Sequence, residues 1–531
     1  MSFDKDLQAI QQVRDLCARA KQAHLIFKDF SQEEVDNVVA AMAETGFQAS
    51  EKLAKAAVRE TGYGNVPDKT RKNQFATRDI YESIRELRTV GVINDDRKNK
   101  ILEVAEPFGV VAGLVPTTNP TSTAMYKIII SVKTRNAIVL SPHPRAMNCI
   151  VEAANLMSDT ATAAGAPEGL INVLTLPNLQ ATHELMKSPD TDVILATGGT
   201  AMVRAAYSAG KPAYGVGPGN VPAYIDRSAD VKKAVQDVVA GKTFDYGTLC
   251  SSEQALIVDA PVKNRVKSEL QNQGGYFLDE IETQKLQNVL VTTGFLINPQ
   301  MVGKSPQVMA QKAGITIPEG TRLLIAELAG VGKNYPLSAE KLSPTLAFYT
   351  VNGWEEGARR SVEILNFGGR GHTACIHAKD ESIVREFGLR VPAYRVVVNT
   401  PSSIGSVGYT NELMPSLTLG CGSYGRNITS DNITAHHLMN IKRIAYETKP
   451  FSMPRTDDTW HPAVYHDWQR REAPYQKALS ANVSRKGAKA VNAGKHASEA
   501  PEPTGQTVYG SSGMSETDVE AIVSEFMKSR Q

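Results

Sequence analysis

FGVVAGLVPTTNPTSTAMYKIIISVKTRNAIVLSPHP, running from Phe108 to Pro144, changes character three times within one short span. FGVVAGLVP is a continuous apolar run and reads as a buried strand. TTNP reads as a turn, TSTAMYKIIISVKTR as a helix, and NAIVLSPHP as a second buried strand. Strand, helix and strand together make a β-α-β unit, and that unit decides the fold class.

Outward from it the alternation continues. A helix over Cys149 to Ala164 leads into INVLTL, and a helix around Ala181 to Lys187 leads into DVILAT. TGGTAMVRAAYSAG then turns through Gly198 and Gly199 into a helix before PAYGVG. The repetition predicts an α/β fold with a doubly wound parallel sheet. Upstream, Asp4 to about Leu87 reads as helical. Ser31 and Glu34 stand at capping-box spacing, and Val35, Val38, Val39 and Met42 recur at helical intervals. Downstream, from about Asp226, a second α/β region begins with a helix over Ala229 to Lys242 and the strand QALIVD, and continues to VVVNT at Thr400. PSLTLGCGSYGRNIT is glycine-rich and polar, yet its apolar anchors predict an ordered loop. Beyond Pro450 the composition shifts, and Arg485 to Gly513 is rich in Ala, Gly, Ser, Lys and Pro, a tether by composition. The last segment, SETDVEAIVSEFMKSRQ, carries Val519, Ile522, Val523, Phe526 and Met527 on one helical stripe. Such a stripe either packs back on the body or docks in another protein's groove.

Composition narrows the function classes. With 42% hydrophobic and 21% charged residues the chain is globular in type, and a net charge of +2 offers no electrostatic case for nucleic acid. The five cysteines, Cys17, Cys149, Cys250, Cys375 and Cys421, are scattered without CxxC or Cys/His spacing, so neither a metal site nor a disulfide framework is expected. A reducing compartment follows. The opening MSFDKDLQAIQQVRDL lacks the basic and apolar regions of a signal peptide, and no window approaches a membrane span, so the cytoplasm is the expected location.

Several residues invite chemistry, each with an ordinary alternative. Cys250, in FDYGTLCSSEQ, is either an inert core thiol or a nucleophile. Asn119, in the turn before a helix, is either an oxyanion donor or a helix cap. His372, in GGRGHTACIH, is a proton-transfer group or a structural histidine. Thr197, Gly198 and Gly199 stand where a phosphate or nicotinamide approaches backbone at a helix start. GVGPGN, containing Gly215 and Gly217, has the wrong spacing for a dinucleotide fingerprint, and both glycine runs also suit tight turns.

In combination and in order, PTTNPTSTAMYKIIISVKTRNAIVLSPHPRA, TGGTAMVRAAYSAGKPAYGVGPGN, FDYGTLCSSEQ, EKLSPTLAFY, GGRGHTACIH and PSLTLGCGSYGRN closely resemble the CoA-acylating branch of the aldehyde dehydrogenase superfamily. The resemblance spans most of Pro107 to Tyr446. It is strongest to the propionaldehyde and acetaldehyde dehydrogenases of bacterial microcompartments and to the aldehyde dehydrogenase half of bifunctional alcohol and aldehyde enzymes. It implies that Cys250 is the nucleophile, that Asn119 completes the oxyanion hole, and that Glu340 steadies the nicotinamide ribose. His372 stands where acylating members carry a histidine. About Gly215 falls the position at which hydrolytic members hold a water-activating glutamate. Ser141 to Arg145 replaces the lysine and glutamate that hold the adenosine ribose in those relatives, which leaves NAD versus NADP open. The implied cofactor-binding set is therefore Thr117, Ser141, His143, Pro144, Thr197, Gly198, Gly199, Gly215, Gly217 and Glu340.

The implied architecture is a Rossmann-type cofactor domain with N-terminal helices over 1–225, a catalytic domain over 226–412 and a return or oligomerisation segment over 413–450. An extension and flexible linker over 451–513 and an encapsulation-type helix over 514–531 follow. The implied activity is oxidation of a short aldehyde to acyl-CoA, with NAD as oxidant and coenzyme A as acceptor. The implied assembly is a dimer or tetramer in a microcompartment, its terminal helix bound to a shell or cargo protein. The rivals are a hydrolytic aldehyde dehydrogenase and a non-catalytic assembly protein.

Overall fold

The computed structural model describes residues 4–292 and 297–449. The linker and terminal helix expected over 451–531 lie outside these residues. Ahead of the first strand the described residues form five α-helices, Lys5–Phe27, Gln32–Gln48, Ser50–Thr61, Val66–Gln74 and Ile80–Ile84. Ser31 caps the second as its spacing predicts: its side chain accepts from the Glu34 amide while Glu34 accepts from the Ser31 amide. Val35, Val38, Val39 and Met42 are buried on one face.

Two strands that the sequence reading missed come next. Strand β1 (Gly91–Asp96) and β2 (Ile101–Pro107) form an antiparallel hairpin, partly solvated and densely charged around its turn. The expected β-α-β unit follows: β3 (Val110–Val115), the helix Pro120–Lys133 and β4 (Ala137–Pro142). Both strands and every residue of the helix are buried, as continuous apolar runs covered on both faces require. With β5 (Ile171–Val173), β6 (Val193–Thr197) and β7 (Ala213–Val216) they complete a parallel sheet in the order β5-β4-β3-β6-β7. The strand order reverses between β3 and β6. There the buried Lys127 donates to the carbonyls of Leu114 and Leu195, at 2.5 and 2.6 Å, tying the ends of the two strands together.

The second sheet holds β8 (Val221–Ile225), β9 (Glu253–Asp259), β10 (Gly275–Phe277), β11 (Leu323–Glu327), β12 (Thr345–Val351), β13 (Gly371–His377) and β14 (Ala393–Val398). Its order is β10-β11-β12-β9-β8-β13-β14, with parallel pairing throughout. Because β8 already belongs to it, the passage between sheets falls at residues 217–220, ahead of the expected boundary at 225/226. The two sheets share one compact unit that extends to Thr448. The segment Pro415–Thr429 is an ordered loop, pinned by hydrogen bonds such as Gly420 N–H to Asp431 and Gly422 N–H to Thr429. Strand β15 (Met439–Ala445) then returns to pair antiparallel with β2, closing a three-stranded sheet.

The passage between sheets is held tightly. Asn220 donates to the carbonyls of Ser338 and Ile364 at 2.9 and 3.2 Å. Gly369, at φ 76°, packs so closely that a Cβ there would stand 2.2 Å from the Asn220 nitrogen. G369A is therefore expected to lower stability by about 1–3 kcal/mol, through both left-handed strain and the clash. Urea denaturation checks this, and an unchanged midpoint would contradict it.

Candidate functional site

A cavity of about 680 Å³ opens where the strands of the first sheet end. Crevices at the carboxyl ends of parallel strands, beside a reversal of strand order, are where doubly wound sheets bind ligands. The turn after β3 supplies Thr117 and Asn119, the end of β4 supplies Ser141, His143 and Pro144, and the turn after β6 supplies Thr197, Gly198 and Gly199. Gly217 comes from the passage between sheets, Cys250 from the loop before β9, and Glu340 from the segment before β12. Eleven of the thirteen residues singled out from sequence thus share one wall.

The other two do not line it. Gly215 lies in β7, and a Cβ there would point at Val203 and Tyr207, 2.8 and 3.0 Å away on the covering helix. A side chain at 215 would thus meet the helix Thr200–Tyr207. His372 is fully buried in β13 and backs onto Gly219, where a Cβ would stand 3.3 Å from the imidazole. Its Nδ1 meets Thr373 Oγ1 at 3.0 Å, while Nε2 is buried without a partner among the described residues. Burial, with a smaller contribution from Arg395, pulls its pKa down to about 3, so the ring is neutral at physiological pH.

Cys250 differs from the other cysteines. Cys17, Cys149, Cys375 and Cys421 are buried, whereas Cys250 is partly exposed and lines the cavity. The loop that carries it is unusual: Asp245 and Tyr246 both adopt left-handed backbone, at φ 48° and 52°, and Gly247 follows at φ 71°. A Cβ at Gly247 would lie 2.9 to 3.2 Å from the backbone of Ser343, so only glycine fits. The main-chain N–H of Cys250 has no backbone acceptor among the described residues. Burial, then Glu340 and Cys421, push the thiol up to about 12, against a weaker pull from Arg395.

Asn119 stands at the N-cap position of the helix Pro120–Lys133, but its side chain makes no capping bond. Its Oδ1 instead accepts from Lys72 Nζ at 2.5 Å, and its Nδ2 faces the Thr248 carbonyl at 3.5 Å. The side chain is thus turned toward the Cys250 loop and does not cap the helix. Among the described residues Glu340 is the one carboxylate on the cavity wall, and it accepts from the Gly219 N–H at 3.0 Å. Burial pushes it up to about 8, outweighing Gly219, Lys242 and Lys341, so it retains its proton at neutral pH.

Sequence reasoning missed a buried cluster behind Asn119. Lys69 and Lys72 lie one helical turn apart in VPDKTRKNQ, and both reach the carboxylate of Asp245. The only signal was two lysines at i, i+3 preceding an acid in a glycine turn, a pattern that normally describes solvated surface. A second constellation, Cys375 Sγ at 3.4 Å from His377 Nε2 with Asp237 3.8 Å beyond, has the order of a nucleophile, base and acid. Cys375 and His377 are fully buried, and neither they nor Asp237 line the cavity, so the arrangement is structural. Among the described residues no three His, Cys, Asp or Glu side chains cluster to hold a metal ion, and no helix is long and apolar enough to cross a membrane.

Fold and cavity define a doubly wound α/β protein with a cysteine at its crevice. The chain belongs to the aldehyde dehydrogenase family, whose profile, described as "Aldehyde dehydrogenase family", matches residues 6–278. It is similar to aldehyde-alcohol dehydrogenase 2 of Entamoeba histolytica, with 43% identity over 84% of this chain and 52% of that one. This chain spans about half the length of the aldehyde-alcohol dehydrogenases it matches. Among solved structures it resembles an acetylating aldehyde dehydrogenase from Geobacillus thermoglucosidasius, with 52% identity, a TM-score of 0.84, and coverage of 85% of this chain and 100% of that one. It also resembles a propionaldehyde dehydrogenase from the fucose utilisation microcompartment of Clostridium phytofermentans, with 27% identity, a TM-score of 0.73, and coverage of 84% and 98%.

The elevated thiol pKa has a measurable consequence. Without ligands, the rate of Cys250 alkylation by iodoacetamide is expected to rise roughly tenfold per pH unit between about pH 7 and 9, following the thiolate fraction. A plateau near neutral pH, read by mass spectrometry of the Cys250 peptide, would contradict it.

Proposed function

We propose that this chain is a CoA-acylating aldehyde dehydrogenase that converts a short aliphatic aldehyde, propionaldehyde or acetaldehyde, to its acyl-CoA with reduction of NAD. The observation that carries the proposal is the meeting of the Cys250 sulfur and the Asn119 amide on one cavity, with Glu340 the one carboxylate among the described residues that line it. The cavity suits the cosubstrates. A Cβ at Gly199 or Gly217 would meet no protein atom within 4 Å, leaving backbone open to a closely approaching ligand. In this reading Glu340 holds the nicotinamide ribose, and Thr117 and the residues ending β4 and β6, which line the same cavity, hold the rest.

In the proposed reaction the Cys250 thiol loses its proton to solvent water in the open cavity, and the thiolate adds to the aldehyde carbonyl. Asn119 Nδ2 and the Cys250 N–H donate to the oxyanion that forms. The nicotinamide, when bound, supplies the hydride acceptor, and an acyl group remains on Cys250 as a thioester. Water is a poor competitor for it. Position 215 is a glycine, and Glu340 is engaged with Gly219 and protonated, so neither position supplies a carboxylate that activates water. The CoA thiol adds to that carbon, its proton passes to the departing Cys250 sulfur, and one thioester replaces another of similar energy.

Nicotinamide reduction followed with and without CoA separates this reading from a hydrolytic one, since sustained turnover independent of CoA favours hydrolysis. Mass spectrometry should identify acyl-CoA as the product. C250A is expected to lower turnover by about three orders of magnitude or more, and N119A by roughly 100- to 1,000-fold in kcat. A non-catalytic assembly protein would have no turnover to lose.

The microcompartment assignment is part of the same proposal. It is supported by the compartment origin of one structural relative and by the apolar stripe read over 514–531. Deleting 514–531 is expected to leave aldehyde oxidation intact while abolishing co-sedimentation with compartment shells. Loss of activity would assign the segment to the enzyme's own fold.

A further inference from the structure

The shape of a carboxamide does not fix which end is the oxygen; its hydrogen-bond partners do. On one side of the Asn119 amide stands the Lys72 ammonium, which can only donate. On the other stands the Thr248 carbonyl, which can only accept, and Thr118 Oγ1 lies 3.2 Å from Nδ2. The pair admits one orientation, with Oδ1 toward Lys72 and the NH2 toward the loop of Cys250. Turned over, the amide would face carbonyl to carbonyl and present an acceptor where negative charge develops.

Lys72 is itself held. Its ammonium binds the Asp245 carboxylate, which also accepts from Lys69 at 2.9 Å and from the Thr248 hydroxyl at 2.6 Å. Lys69 in turn donates to the Thr118 carbonyl at 3.0 Å, beside Asn119. The left-handed Asp245 is secured by its own N–H to Asp68 and by the Asn65 N–H on its other oxygen. Asp245 is 0% and Lys72 4% exposed in the folded chain. One carboxylate therefore anchors both the cation that orients Asn119 and the residue two positions before Cys250.

We propose that Lys72, anchored by Asp245, is a positioning residue that locks the Asn119 amide with its N–H groups toward the reacting carbon, and that it acts on the reaction through Asn119. The inference rests on the reading of Asn119 as the oxyanion donor. Its test is a double-mutant cycle of K72M and N119A, with kcat and KM measured for aldehyde oxidation and folding followed by circular dichroism and thermal melting.

K72M is expected to lower kcat roughly 10- to 100-fold, with KM for NAD within about twofold, as misplacement of a preorganised donor does. N119A combined with K72M should be no slower than N119A alone. Losses that multiply in the double variant, or wild-type kcat in K72M beside a slow N119A, would overturn the inference alone. Wild-type kcat in N119A would overturn the underlying reading, and the inference with it. If K72M does not fold, K72Q, which keeps a polar end, takes its place in the cycle.

Discussion

A buried carboxylate shared by two lysines is the constraint on which the site depends. Removing three charged groups from water is costly, and their mutual attraction offsets the cost only when geometry and additional hydrogen bonds are good. Here burial pushes the Asp245 carboxyl up, yet Lys69 and Lys72 outweigh it and hold it below the usual carboxylate range. Burial lowers Lys72 to about 8 against the pull of Asp245. The arrangement joins pieces far apart in sequence: the helix Val66–Gln74, the turn at Asn119 and the loop that ends at Cys250. The strained backbone at Asp245 and Tyr246 persists because five hydrogen bonds to the Asp245 carboxylate and amide over-determine it.

The cavity wall and the layer behind it show how environment divides labour among titratable groups. Glu340 keeps its proton because it is buried against a single N–H donor and distant lysines. His372 stays neutral because it is buried beside a guanidinium, Arg395, that is bonded to its own main-chain oxygen. Neither group is an effective base at neutral pH in the ligand-free chain. A site poor in bases protects a thioester from water, which is the property that separates acyl transfer to a thiol from hydrolysis.

The legible parts of the fold were those in which one physical cause dominates. Runs such as VVAGLV and AIVLSP are apolar because both faces of a parallel sheet are covered, and they read directly as strands. The hairpin β1–β2 escaped because its residues are half solvated and its charges mask any alternation. The passage between sheets falls earlier than expected because VPAYI, which the sequence reading left unassigned, pairs with β9 and β13. At the site, residues on glycine-marked turns after strands were found, since turns at strand ends are where backbone meets ligand. Lys69, Lys72 and Asp245 were not. Charged residues are usually solvated, and only the folded chain reveals which ones face each other.

The return of β15 to β2 has a consequence for how the molecule is made. One edge of β2 is occupied by its neighbour β1, but the other waits for a partner encoded more than three hundred residues later, Ile101 meeting Ala445. Non-local pairings of this kind are reached slowly, because the entropy of closing so large a loop is lost before any contact forms. Until residue 445 leaves the ribosome, β2 presents a row of unmatched amide and carbonyl groups to every neighbouring chain. That open edge is where a half-made molecule is most exposed to aggregation.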